Sequence, residues 1–211
     1  MKLPAFSILA LSIAGGLLAT ANCLAATVCV ANQGDVLSID PHSFNEAVQL
    51  SFLNNVFEAL VTRGRDLKLT PSLSTQWSSP CANLWRFELR KNVKFHDGAP
   101  FTADDVVFSL ERARGEGSDV KPQLASVKSI RKVSEFVVEL ETSAPNPILP
   151  ELLTNALIMN RAWAEANQAA RPVDRRRGIE NAASFRANGT GPFGVRERQP
   201  GTRTVLQRSL A

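Results

Sequence analysis

His42 and His96 are the only two imidazoles in the chain, and each stands in a turn near an aspartate: Asp40-Pro41-His42 and His96-Asp97. An imidazole beside a carboxylate is the pairing that orients a general base or completes a metal shell. Neither chemistry has its remaining parts. A metal site needs several ligands converging, and no spacing of His, Cys, Asp or Glu supplies them. A hydrolase needs a nucleophile set against its base, and no serine lies in a Gly-x-Ser-x-Gly elbow. Asp104-Asp105 pairs two carboxylates, but it falls where a helix begins, and the helix dipole already accounts for it. Gly189-Thr190-Gly191 lacks the lysine and the following helix of a phosphate loop. The sequence therefore predicts no catalytic residue, no metal and no cofactor. Both histidines are read as turn residues making a structural hydrogen bond.

The elements around these residues are best marked between Leu84 and Arg114. Leu84–Leu89 is rich in aromatic and branched residues and reads as a strand. Phe95-His96-Asp97-Gly98 is a turn in which Gly98 supplies a positive φ. Thr102 opens a helix, with Asp105 three residues on completing a capping box. Ala103, Val106, Val107, Leu110 and Ala113 follow at helical spacing and form an apolar face.

Elsewhere the spacing predicts a strand over Val28–Ala31, a helix over Asn45–Glu58, a strand over Leu60–Arg63 and a turn-rich stretch over Pro71–Ala82. Gly115–Pro122 reads as a mobile polar loop. Val127–Val133 and Phe136–Thr142 form a hairpin, with Phe136, Val138 and Leu140 on one face. Short helical stretches follow at Ile148–Leu153 and Trp163–Gln168, and Ala169–Asn188 shows no apolar period. Phe193–Arg198 and Thr202–Gln207 make a last hairpin, with Pro200-Gly201 suited to a type II turn. Strands and helices mix without strict alternation, so the fold class is mixed α/β (α+β).

Residues 1–25 read as a signal peptide. Lys2 gives the positive start, Phe6–Leu18 the apolar stretch, and Cys23-Leu24-Ala25 the small residues of a cleavage site, with Ala19-Thr20-Ala21 a second candidate. A retained anchor is the weaker reading, because the run is short. In a bacterium the expected location is the periplasm. Hydrophobic residues make up 44% of the chain, which argues for a folded core. The net charge of +4 is scattered with few interleaved aromatics, so no nucleic acid is expected as a partner. Arg175-Arg176-Arg177 is the only dense basic cluster and reads as an exposed loop or helix face. Cys29 and Cys81 would remain after cleavage, and in an oxidising compartment either a disulfide between them or two free thiols is open.

Leu89–Arg114 closely resembles the marker region of the family 5 substrate-binding proteins of ABC importers, the peptide, dipeptide and nickel group. Ser38-Ile39-Asp40-Pro41-His42, Asn55-Val56-Phe57-Glu58-Ala59-Leu60-Val61 and Gly189-Thr190-Gly191-Pro192-Phe193 resemble further motifs of that family, in the same order. The resemblance implies part of lobe I of a two-lobed periplasmic-binding-protein-like fold (type II, cluster C), here an incomplete N-terminal lobe over 26–211. It implies a peptide or small-solute ligand, ABC permease subunits as partners and a monomeric chain. Carried over, the stretch that lines the cleft is Phe44, Asn45, Glu46 and Ala47. The loop holding Ser118 and Asp119 reaches the cleft, and Asn155 stands where some relatives present a cleft residue. Asn45 has a second reading, as the cap of the following helix.

Family members run more than twice this length and continue into a second lobe, so the expectation is a chain that cannot clamp a ligand alone. The alternatives are a one-lobe interaction or sensing module and a non-functional fragment. Calorimetric titration with a peptide pool is expected to show no tight, saturable binding, and saturation at micromolar peptide would contradict this expectation.

Overall fold

The computed structural model describes residues 26–174 and 177–210. The expected signal peptide and the first two arginines of the triplet lie outside them. Residues 26–32 belong to a separate unit from the body that begins at Gln33. They are exposed and form no strand, in contrast to the reading of Val28–Ala31. Val28 and Val30 are both exposed, so no apolar burial rewards an extended pairing. Cys29 and Cys81 are both free, exposed thiols, and no bond joins them in this structure.

In the body the strands are β1 (Val61–Arg63), β2 (Leu69–Pro71), β3 (Ser74–Cys81), β4 (Leu84–Leu89), β5 (Val127–Ser134), β6 (Val137–Thr142), β7 (Phe193–Gln199) and β8 (Arg203–Arg208). The helices are α1 (Ala47–Leu53), α2 (Ala103–Ala113), α3 (Leu149–Leu152) and α4 (Arg161–Ala166). Strands β3-β4-β6-β5 form one antiparallel sheet, while β1-β2 and β7-β8 are separate two-stranded ribbons.

The alternation of β4 buries Phe87 and Leu89, and β6 presents Val138 and Leu140 to the same side. These pack with Val106, Leu110 and Ala113 of α2 and with Phe95 and Phe101 into one core cluster. The α2 N-terminus carries the capping box expected from Thr102 and Asp105. On the opposite sheet face Arg86, Glu139 and Arg131 stand in one cross-strand row. Glu139 is bonded from both sides by these arginines, Arg86 Nε at 2.9 Å. Those bonds, first that of Arg86, hold its carboxyl below the usual range despite some burial.

Two stretches fold differently from their sequence reading. Ser74–Cys81 is a strand rather than turns, because pairing with β4 overrides its serines and its one proline. It is the sheet's edge, where Pro80 is tolerated. The helix expected over Asn45–Glu58 is only Ala47–Leu53. Its downstream carbonyls are claimed by another segment: Gly191 N–H donates to Val56 O (2.9 Å) and Phe193 N–H to Asn55 O (3.0 Å).

That competition comes from close backbone approach. A Cβ on Gly189 would lie 2.0 Å from Val56 O, and one on Gly191 2.6 Å from the Val56 carbonyl carbon. Only glycine fits. The Phe95–Gly98 turn joins the same lock. His96 accepts from Gly189 N–H through Nδ1 (3.3 Å), so its Nε2–H donates to Gly191 O (2.9 Å). Asn188 bonds Asp97 at 2.8 Å. The His96 expectation of a structural hydrogen bond thus holds. Gly98 (φ 86°) and Gly201 (φ 73°) take the positive φ expected of their turns.

Gly189→Ala is expected to lower stability by about 3 kcal/mol in urea denaturation, because backbone carbonyl cannot give way as a side chain would. Gly34→Ala, whose added Cβ would meet only Val48 at 4.0 Å, is expected within about 0.5 kcal/mol of the parent.

Candidate functional site

The polar side of α2 organises the site. Asp105, Ser109 and Arg112 recur at i, i+4 and i+7, and all three are buried. Each secures part of the later chain. Asp105 accepts from Arg161 N–H (2.9 Å) and Asn160 Nδ2 (3.2 Å). Burial pushes the Asp105 carboxyl up. Ser109 donates to Met159 O and accepts from Met159 N–H, both at 3.0 Å.

Arg112 reaches furthest. Its guanidinium is 1% exposed against a fully buried Asp40. The fork is bidentate: one amino group donates to Asp40 Oδ1 at 2.8 Å, the other to Oδ2 at 2.6 Å. The first also donates to His42 Nδ1 at 2.9 Å. Arginine has no lone pair to offer, so Nδ1 is the acceptor and the imidazole proton sits on Nε2, donating to Leu157 O at 2.9 Å. His42 is therefore neutral. Burial, then the neighbouring Arg112 charge, pushes its pKa down to about 4. For Asp40 burial acts upward, but the charge and hydrogen bonds of Arg112 prevail and hold the carboxyl below its usual value.

The loop from Ser38 to Ser43 is thereby fixed, and two other segments are tied to it. Asp119 N–H donates to His42 O (3.0 Å). Val173 N–H donates to Asp40 Oδ2 (2.9 Å). The three segments enclose a concavity of about 260 Å³, with Ser43 and Phe44 from the first, Gly117, Ser118 and Asp119 from the second, and Asp174 and Arg177 from the third. The 115–122 loop, read as mobile, is held by the Asp119 bond and by Val120 N–H donating to Ser118 Oγ at 3.2 Å.

Phe44, Ser118 and Asp119, expected from sequence, thus meet at one hollow. Asn45 and Asn155 meet each other instead, Nδ2 of Asn155 to Oδ1 of Asn45 at 3.4 Å. Asn45 is not the helix cap; Glu46 occupies that position and makes no side-chain cap bond. Glu46 and Ala47 are exposed at the start of α1 and lie outside the hollow's lining. Sequence reasoning missed Asp174 and Arg177, and it missed the Asp40–Arg112–His42 cluster. A signal for the cluster was present: three polar residues at helical spacing beside an apolar face.

A larger groove of about 610 Å³ runs along α2 and α4. Its charges neutralise one another, Lys132 with Asp104 at 2.5 Å and Arg161 with Glu165 at 2.8 Å, which leaves it a solvated surface. Among the described residues no three His, Cys, Asp or Glu side chains converge as a metal site, and no helix is long and apolar enough to cross a membrane.

Residues 68–209 match the profile of the bacterial extracellular solute-binding proteins, family 5. Among curated proteins, the periplasmic oligopeptide-binding protein OppA of Escherichia coli (strain K12) is 34% identical over 82 residues, which is 39% of this chain and 15% of OppA. The HTH-type transcriptional regulator SgrR of Yersinia enterocolitica is 30% identical over 132 residues, 61% of this chain and 20% of SgrR. Among solved structures, the binding protein MoaA of A. tumefaciens R10 in complex with mannopinic acid superposes with a TM-score of 0.70 at 26% identity, covering 83% of this chain and 35% of MoaA. The chain thus spans a fifth or less of these two curated relatives and about a third of the solved chain.

His42 makes stability pH-dependent. It binds its proton near pH 6.5 when unfolded and near 4 when folded, so its contribution is complete above 6.5 and falls as pH drops towards 4. The loss is on the order of 3 kcal/mol. Asp40, depressed when folded, adds a further loss only below its ordinary value of 3.8. Urea midpoints are expected to fall between pH 6.5 and 4, with that slope reduced in His42→Gln.

Proposed function

The chain belongs to the bacterial extracellular solute-binding proteins of family 5, and we propose that it forms one wall of a periplasmic solute trap for peptides or related small solutes, serving ABC permease subunits in the inner membrane. The observation that carries this reading is the meeting of Phe44, Ser118 and Asp119, from stretches far apart in sequence, at one hollow.

The chemistry of the wall suits such ligands. Glu46 has extended backbone (φ −130°, ψ 159°) and is exposed, as a strand edge that bonds a ligand's main chain would be. Recognition through main chain tolerates varied side chains. The hollow's lining carries charge of both signs, Asp119 and Asp174 with Arg177, and Arg177 is paired with Glu116 at 2.8 Å and with Asp174 at 3.6 Å, so a charged solute end would have to compete with those pairs. The role proposed is binding without turnover.

One wall by itself binds weakly. Small-molecule sites enclose roughly 70–90% of their ligand's surface, which needs an opposing wall. Short peptides titrated into the 15N-labelled chain to millimolar concentration are expected to shift amide signals of residues 43–47, 117–119 and Asn155. Absence of shifts there, or shifts concentrated elsewhere, would contradict the reading.

The match to SgrR favours a second reading, a one-lobe sensing or interaction module. A pull-down against permease subunits and against receptor or regulator domains separates the two: retention by permease is expected, and retention by the regulator alone would favour the second.

A further inference from the structure

Arg112 has five N–H donors, and every one is used. Nε bonds Ala169 O at 2.9 Å. One amino group bonds Asp40 Oδ1 and His42 Nδ1. The other bonds Asp40 Oδ2 and Arg171 O, the latter at 2.8 Å. The acceptors come from two segments far apart in sequence, the 38–43 loop and the 169–173 stretch, while the donor is fixed on α2. A third segment attaches through His42, whose carbonyl receives Asp119 N–H at 3.0 Å. Each segment tied to this cluster carries lining residues of the hollow: His42 precedes Ser43 and Phe44, Val173, whose N–H donates to Asp40 Oδ2, precedes Asp174, and Asp119 is itself in the lining.

We propose that Arg112 is the positioning residue of the ligand-facing wall: its guanidinium fork sets the spacing between residues 43–44, 117–119 and 173–174. This rests on the solute-binding reading for its purpose, though not for its geometry. Arg112 does not touch the ligand; it acts through Asp40 and His42. A lysine keeps the charge but carries three donors on one atom, so it cannot span both carboxylate oxygens, the imidazole and two carbonyls. A fully buried ion pair contributes little net stability against an apolar replacement, and is better suited to fixing geometry.

The cluster also has a protonation handle. His42 is faced by the Arg112 cation from α2, by the Asp40 carboxylate from its own loop and by the Leu157 carbonyl. The charged side chain of Asp119 belongs to the segment bonded to its backbone. A proton on Nδ1 would meet an Arg112 N–H and break that contact.

The test is amide hydrogen exchange on the full chain, with no ligand, comparing the parent with Arg112→Lys. The expected result is exchange faster by about tenfold or more at both Asp119 and Val173, with parent-like protection in β4 and β6. Parent-like exchange at Asp119 and Val173, or a uniform loss that includes the sheet, would overturn the proposal. Should Arg112→Lys not fold, the parent is followed from pH 7 to 4.5. Asp119 and Val173 must then lose protection before the sheet does, and simultaneous loss overturns the proposal. Because no ligand enters, silence in the peptide titration with the exchange result intact would fail the solute-binding reading alone.

Discussion

A guanidinium almost wholly withdrawn from solvent is the constraint from which the rest follows. Arg112 can be buried only because each of its donors has an acceptor and a carboxylate neutralises its charge. Removing Asp40 would strand a charge in a dry interior, and removing any other acceptor would leave an N–H unpaired there. The demand fixes where Asp40 must be, hence the loop that carries it. Through Ala169 and Arg171 it also fixes the stretch that returns from α4. The tautomer of His42 is a consequence of the same rule, since a neighbour that can only donate forces an acceptor.

A second lock begins just after the end of α1. Asn55-Val56-Phe57, the Phe95–Gly98 turn and Gly189–Phe193 meet through glycines that admit no side chain and through His96. The segments that resembled family motifs therefore fall into two groups by physical role. One group, Asp40 to His42, serves the buried charge. The other group makes backbone contact. Neither is itself the hollow, and the first holds the segments that border it. Relatives with different cargoes can share such residues without sharing a ligand, because what they specify is the placement of segments.

How much of this could be read beforehand depended on the range of the interaction. The capping box at Thr102, the β5–β6 hairpin and the Pro200-Gly201 turn are local, and composition and spacing disclose them. The length of α1 was misread because a distant segment decides it, carbonyls of its continuation bonding to Gly191 and Phe193, whereas the strand at Ser74–Cys81 pairs with the adjacent β4 and was misread because its serines and proline read as turns. In the hollow, Phe44, Ser118 and Asp119 came from the family resemblance. Asp174 and Arg177 sit in a stretch with no apolar period, so no local pattern marked them. Asp40 and His42 were read as turn residues and Arg112 was not singled out, and only folding places the three within bonding distance.

The central claim is that one buried ion pair, rather than general packing, holds these segments together. A double-mutant cycle with Asp40→Asn and Arg112→Met, read by urea denaturation at pH 7, measures it most directly. Each single variant is expected to lose about 3–5 kcal/mol, because each leaves an unmatched polar or charged group buried. The double variant is expected to lose clearly less than the two losses together. Strictly additive losses would show that Asp40 and Arg112 act independently and would contradict the account.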